Sequence, residues 1–338
     1  MPALDVFKAD AFSMASLTNA VNRLPYKPRL LGALGVFSGT PIRTTTAYVE
    51  ERLGKLSLLP TAARGTISDA RIAPRRRVKA FTVPHVPQYQ TVMADDVQNI
   101  RAFGSETELE SLAGYLNEQL AGMRDNHEAT MEYHRIGAVK GTILDADGST
   151  AIYDLYAEFG ITQTALTFTS ATQDYKEVTS SAIRAIGDAM GNMVISNIIC
   201  LCSDTYFDAV VTSDSVKNDY QRWRDGEFLR YSQLGPEWYT AAANGFDYGN
   251  ILHINYRGQI GDVPFIPADT AYYFPVGAGN FKEIYAPADM NGAVNTLGQP
   301  VYASQKMLDH EKGVELHTQA NHLMMNDTPG SSIVATLA

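Results

Sequence analysis

The sequence predicts a mixed α+β fold, and three observations predict it. Leucines and a methionine recurring at spacings of three and four mark one long helix. An Asp-Gly pair between two β-prone runs marks a hairpin. Later strand-like and helix-like stretches follow one another without the regular alternation of a doubly wound sheet. The 338 residues, 45% hydrophobic and 19% charged, have the composition of a folded chain, and this length predicts about two domains.

In order along the chain, residues 1–41 alternate short apolar groups with Pro25, Pro28, Gly32, Gly35, Gly39 and Pro41. That punctuation suits an extended arm with one short helix. Such an arm has no core of its own and must lie on something else. From Thr44 to Pro84 two β-prone runs surround a polar middle of roughly a dozen residues centred on Gly65, which predicts a long two-stranded loop within residues 42–90. A lone hairpin is marginal in water, so this one is expected to lean on a partner.

Ser105-x-x-Glu108 is a capping box, and after it Leu109, Leu112, Leu116, Leu120 and Met123 fall on one helical face. The pattern runs through His127 and Met131 to about Ile136, before Gly137. A helix over about 105–136 follows, near 45 Å long at about 1.5 Å per residue. Val139–Leu144 and Ala151–Tyr156 then flank Asp145-Ala146-Asp147-Gly148, the predicted hairpin turn with its positive φ angles. A helix at about 180–190, a buried strand around Ile195–Leu201 and a helix opened by Ser203 or Asp204 come next. Residues 250–285 read as strands rich in Tyr and Phe, broken by Pro264, Pro267 and Pro275.

Several function classes lack their signatures. The first ten residues carry no secretory signal pattern, and no apolar run approaches the roughly 18 residues that span a bilayer, so a soluble protein made in a cytoplasm is expected, with no membrane partner. Cys200 and Cys202, two apart on a strand, predict buried reduced thiols. Asp145-x-Asp147-Gly148 departs from a calcium loop, with Thr150 and Tyr156 where glycine and glutamate are needed. His127 and His134 on the helix, and His310, His317 and His322 near the end, lack metal-ligand spacing. Phosphate-loop, nucleophile-elbow, zinc-helix and dinucleotide motifs are absent from the sequence. No catalytic residue, cofactor or metal site is therefore nominated, and a soluble hydrolase with a dispersed Asp/His site is the alternative from another class.

Charge is unevenly distributed. The net charge is -10, yet residues 1–90 hold 13 Lys+Arg against 5 Asp+Glu, a balance of +8, which leaves -18 for residues 91–338. The stretch IAPRRRVKAFTVP, residues 72–84, concentrates the excess in Arg75, Arg76, Arg77 and Lys79. A solvated strand face is one reading. Nucleic-acid binding is a second, but it wants aromatic rings for stacking and only Phe81 is close. The third is contact with an acidic surface on another copy of the chain, such as Asp95, Asp96, Glu106, Glu108 and Glu110.

The order of arm, two-stranded loop, long helix, Asp-Gly hairpin and mixed domain resembles the HK-97-type fold of tailed-phage and herpesvirus shells. Within that group the chain resembles the lambda-type major capsid proteins, the protein E family. The likeness is carried by Leu56-Ser57-Leu58-Leu59-Pro60 with Arg64-Gly65, and by Phe81-x-Val83-Pro84 leading to Met93-Ala94-Asp95-Asp96-Val97-Gln98. Ala138-Val139-Lys140-Gly141, Tyr256-Arg257-Gly258, Phe265-Ile266-Pro267 and Tyr285-Ala286-Pro287-Ala288-Asp289-Met290 continue it. Asn295-Thr296-Leu297-Gly298-Gln299-Pro300-Val301-Tyr302 and Glu315-Leu316-His317-Thr318-Gln319-Ala320-Asn321 close the series.

The resemblance implies a non-enzymatic subunit that forms pentamers and hexamers and closes them into an icosahedral shell around double-stranded DNA. It implies an N-terminal arm at 1–41, an extended loop at 42–90 lying over a neighbour, and a peripheral domain at 91–160 with the spine helix and hairpin. An axial domain at 161–284 and a C-terminal return to the peripheral domain at 285–338 complete the expected layout. Portal, decoration and separate scaffolding proteins are the implied partners, the last because only about 40 residues precede the loop. DNA is expected to touch the inner wall weakly, in virions assembled in the host cytoplasm. No Lys and Asn pair for a covalent cross-link is identified. An encapsulin-like nanocompartment is the alternative on the same fold.

Overall fold

A computed structural model describes residues 30–53, 75–97, 112–170, 173–191, 193–222, 243–260 and 263–338. The chain enters through a single helical turn, α1 (Leu30–Ala33), and a strand, β1 (Ser38–Pro41). Strands β2 (Thr46–Leu53), β3 (Arg75–Thr82) and β4 (His85–Met93) lead to a one-turn helix, α2 (Ala94–Val97), and then to the long helix α3, described from Leu112 to Lys140. A hairpin of β5 (Thr142–Leu144) and β6 (Ala151–Asp154) runs into α4 (Leu155–Phe159) and β7 (Ala165–Phe168). Then come α5 (Tyr175–Met190), β8 (Asn197–Cys202), α6 (Asp204–Thr212) and α7 (Asp214–Arg222). The remaining strands are β9 (Ala243–Tyr248), β10 (Ile251–Tyr256), β11 (Gln259–Ile260), β12 (Val263–Pro264), β13 (Thr270–Val276), β14 (Phe281–Tyr285), β15 (Tyr302–Met307), β16 (Gly313–Asn326) and β17 (Ile333–Leu337).

Two sheets organise these elements. The first has the order β1-β14-β16-β15, with β4 pairing along β16 from Met93↔Gly313 to His85↔Asn321. The second has the order β7-β17-β13-β8-β10-β9 and is mixed, with parallel β7/β17 and β8/β10 pairs. The sheets divide the chain differently from the expected boundaries. Residues 38–41, within the expected arm, pair with β14 of the first sheet, His85–Met93, within the expected loop span, pairs with β16 of that sheet, and β17 brings the chain end to the second sheet. Strand pairing between residues this distant leaves no local trace in a sequence.

Helix α3 lies on the first sheet. Leu116, Leu120, Met123, His127 and Met131 are buried, as their spacing predicts. The residues that would cap it, Ser105 and Glu108, lie outside the described part. The helix does not stop at Gly137 but continues one turn to Lys140. Glycine is retained there for room: a Cβ on Gly137 would lie 3.0 Å from Ile143 Cα and 3.0 Å from Thr142 O, so the hairpin backbone packs directly against the helix. Termination falls at Gly141, whose φ of +86° is left-handed. A Cβ at Gly141 would also overlap the Tyr156 ring, whose hydroxyl donates to Ser332 O at 3.1 Å. Gly141→Ala is therefore expected to cost about 2–4 kcal/mol, from backbone strain plus overpacking, read as a lower urea midpoint of the unassembled subunit.

The hairpin is shorter than its flanking runs suggested, because Val139 and Lys140 belong to the helix and Leu155 and Tyr156 to α4. Only Gly148 in its turn has positive φ. The Asp147 carboxylate accepts from the Thr150 hydroxyl at 2.6 Å and from the Thr150 and Ser149 amides at 2.9 Å each, and these bonds hold its pKa well below the usual carboxylate range. Helix α5 starts earlier than the sequence suggested, at Tyr175, because Asp174 caps it. Ser203 caps α6 as expected, accepting from the Tyr206 amide.

Strand β8 explains its own continuous apolar run. Ile198, Cys200 and Cys202 face α5 and α6, while Ile199 and Leu201 face the opposite core layer with Phe274 and Ile254. Both thiols are buried and free, with their sulfurs 3.5 Å apart. Pro275 does not break β13, contrary to the sequence reading. The carbonyl of Val276 accepts from Ser196 on the β8 side, so the nitrogen of Pro275 faces the β17 side, where pairing already ends at Tyr273. A residue without an N–H fits there at no loss of a ladder bond.

Candidate subunit interface

Strands β2 and β3 form a two-stranded ladder of their own, in register from Thr46↔Thr82 to Leu53↔Arg75. Its root is fixed to the body by one aromatic residue. Phe81, 1% exposed, meets Tyr153 edge-on at 5.4 Å between centroids and stacks with Phe159 at 6.1 Å. The Tyr153 hydroxyl donates to Thr82 O at 2.8 Å, and Ala47 and Val49 are buried beside Phe81. The alternation of a strand leaves the other face open, and Tyr48 and Val78 are 67% and 59% exposed.

The basic run is thus on a strand. Lys79 Nζ lies 4.9 Å from the Phe159 ring centroid, a cation–π contact within its own chain. Backbone register sets Arg77 directly across from Glu51 and Arg76 directly across from Arg52, and Arg75 across from Leu53. Sequence reasoning missed Glu51 and Arg52 because cross-strand neighbours are distant in sequence.

Of the acidic candidates, Asp95 and Asp96 sit exposed on α2, where the Asp96 carboxylate accepts from the Met93 amide at 2.9 Å. Neither is ion-paired with Lys79 within the chain. Glu106, Glu108 and Glu110 lie outside the described residues.

A second polar constellation, unforeseen in the sequence, is buried beneath the first sheet. Arg135 donates to Glu132 at 3.2 Å and to Glu283 on β14 at 2.8 Å, and Glu132 also accepts from the Leu31 amide at 2.8 Å. These bonds clamp α1, α3 and β14 together beside a cavity of about 360 Å³ lined by Leu31, Arg124, Glu128 and Val301 among others. In the sequence, Arg124/Glu128 and Glu132/Arg135 look like ordinary exposed helix pairs. Further along, His134 Nδ1 and His322 Nε2 share a hydrogen bond of 2.9 Å, and His127 meets the Thr318 hydroxyl at 3.0 Å. Among the described residues no group of three His, Cys, Asp or Glu could hold a metal ion.

Burial lowers His127 and His134 to about 4 and His253 to about 3, and moves His322 well below its usual value. The unfolded chain takes up protons near pH 6.5 while the native chain does not, so stability is full above that value and falls as pH drops. Between about pH 6.5 and 4 each such histidine contributes a loss of up to about 1.4 kcal/mol per pH unit. Burial raises Glu132, Asp247 and Asp327, which act in the opposite direction, but five histidines, His317 among them, are lowered. Urea midpoints of the unassembled subunit should therefore fall steeply from pH 7 to pH 4.5.

The chain thus has two main sheets, a long helix packed on the first and a separate two-stranded ladder, and comparison with known proteins places it among shell proteins. The family described as phage major capsid protein E matches residues 13–337, and the chain belongs to that family. Its curated relatives include the major capsid protein of Pseudomonas phage KPP10, 26% identical over 328 residues, covering 92% of this chain and 93% of the relative. The major capsid protein of Salmonella phage Felix O1 is 23% identical over 340 residues, covering 91% and 92%. Among solved structures, a prophage protein of Escherichia coli CFT073 described as a capsid protein aligns with a TM-score of 0.59 at 13% identity, covering 98% of this chain and all of the other. The capsid of cyanophage P-SCSP1u aligns with a TM-score of 0.51 at 10% identity, covering 93% and 90%. The fold is thus the HK-97-like capsid fold, and the chain is a structural phage major capsid protein that assembles into a shell and forms part of the virion.

Proposed function

We propose that this subunit forms pentamers and hexamers that close into an icosahedral shell around double-stranded DNA, and that its work is assembly without catalysis. The observation that carries this reading is the β2–β3 ladder, eight register pairs long and rooted at Phe81 and Tyr153, in a chain of a shell-forming family. A two-stranded ribbon is marginal alone and gains its stability from what it lies on. Closed shells need repeated contacts between unlike surfaces of one chain, which a rigid body with a projecting ribbon supplies.

In this arrangement the first sheet and α3 form the peripheral part, the second sheet with α5 and α6 surrounds the capsomer axis, and the ladder lies over the next subunit. The net charge of -10 keeps packaged DNA weakly held at the inner wall. Portal, separate scaffolding and decoration proteins complete the head, which assembles in the host cytoplasm. Electron microscopy of particles from cells expressing the chain with the other head proteins should show closed shells, filled with DNA when packaging is active. A monodisperse monomer or dimer under all assembly conditions would sink the reading.

A further inference from the structure

An Asn-Gly pair occurs twice in the sequence, at Asn244-Gly245 and at Asn291-Gly292. The pair has its own chemistry, because a glycine nitrogen, unshielded by a side chain, can attack the side-chain carbonyl of the asparagine before it. The fold treats the two pairs in opposite ways. Asn244 and Gly245 lie in β9, in register with Asn255 and Ile254 of β10. Gly245 is buried, and a Cβ there would lie 2.7 Å from His253 O, so the neighbouring strand clasps this backbone.

Asn291 and Gly292 are instead exposed, in a single 3-10 turn, Asn291–Ala293, on the connection from β14 to β15. The Ala293 amide closes the turn by donating to Met290 O at 2.9 Å. The amides before it are the ones that a helical turn leaves without an internal acceptor. Among the described residues nothing pairs with the Gly292 amide or with the Asn291 side chain. Both reacting groups are therefore unengaged, while the connection around them is held: Ala293 is buried, and the Gly298 amide donates to Ile42 O at 2.9 Å.

We propose that Asn291 is a self-modification site, at which the chain converts its own asparagine to aspartate and isoaspartate. The Gly292 nitrogen bonds to Asn291 Cγ, the bond from Cγ to the side-chain nitrogen breaks, and ammonia leaves with the proton that the Gly292 amide gives up. Water then opens the cyclic imide at either of its carbonyls, its oxygen going to that carbon and a proton to the released nitrogen. Water is consumed and ammonia released, with no oxidant or cofactor. Because the attacking nitrogen must lose its proton, the rate rises with pH. The product carries a new carboxylate two residues from the exposed Asp289, and the isoaspartate form lengthens the backbone by a methylene in the turn that leads to the exposed Val294 and Leu297. The charge and shape of this connection thus record the age of the protein.

The test holds the full-length unassembled subunit in water enriched in heavy oxygen, beside a sample kept in urea, and reads the peptides by mass spectrometry. In the folded subunit the Asn291 peptide should change from amide to acid with one heavy oxygen, in mixed aspartate and isoaspartate forms, and faster at higher pH. The Asn244 peptide should convert at least about tenfold more slowly in the folded subunit than in urea. Gly292→Ala should slow conversion at Asn291 at least about tenfold. The melting temperature should not change, since Gly292 is not among the glycines with positive φ and alanine can take its backbone. An Asn291 that stays an amide in the folded subunit, aspartate without isoaspartate, an unchanged rate in G292A, or an Asn244 that converts as fast folded as in urea would each overturn the proposal.

Discussion

Arg135→Met is expected to destabilise the subunit by about 3–5 kcal/mol, because it removes the cation that compensates two buried carboxylates. Glu132 and Glu283 are both buried, and Arg135 reaches them at 3.2 and 2.8 Å. Without the guanidinium, either a carboxylate is left charged in the core or it must take up a proton at neutral pH. The damage should spread to the chain entry, since Glu132 also holds the Leu31 amide. Urea denaturation of the unassembled subunit measures the loss. Adding Glu132→Gln and Glu283→Gln to the same chain should recover much of it, because the uncompensated charge is then gone. A variant as stable as the unchanged protein would show that the pair is solvated or replaceable.

Phe81→Ala is expected to have the other large effect, and a different kind of effect. Truncating a fully buried phenylalanine costs about 3–5 kcal/mol, but Phe81 lies where the ladder meets the body, between Tyr153 and Phe159. Its loss uncouples the ribbon from the hairpin while leaving most of the first core, such as Leu116, Met123, Leu316 and Leu323, in place. Shell formation should therefore fail under conditions where the subunit still folds. Circular dichroism melting and particle yield, measured on one preparation, separate the two. If shells form at normal yield, the root of the ladder has no part in positioning it.

The long helix was legible because its period repeats over many turns, and the ladder because β-prone runs flank a polar middle. What the sequence hid has a common cause. The second sheet's closing strand, β17, pairs with β13 some sixty residues earlier (Ile333↔Tyr273), and no local pattern records such a partner. Gly137 reads as a helix stop when only its own segment is considered, and becomes a packing residue once the hairpin backbone lies against it. Pro275 reads as a strand breaker until the side its nitrogen faces is known.

The candidate site shows the same limit. Four cations in five positions stand alone in a linear reading, whereas backbone register sets Glu51 and Arg52, more than twenty residues away, across from Arg77 and Arg76. His134 and His322, 188 residues apart, likewise become a pair only in the fold. Charge asymmetry, by contrast, was readable at once, because it needs no geometry.

On the reading proposed above, the β2–β3 ladder of each subunit lies over the next copy in the shell. A cryo-electron microscopy reconstruction of assembled particles at side-chain resolution tests it most directly. It should show the ladder of each subunit crossing its neighbour, with Tyr48 and Val78 covered. A ladder folded back on its own subunit, or one whose Tyr48 face is bare or laid against DNA, would contradict it.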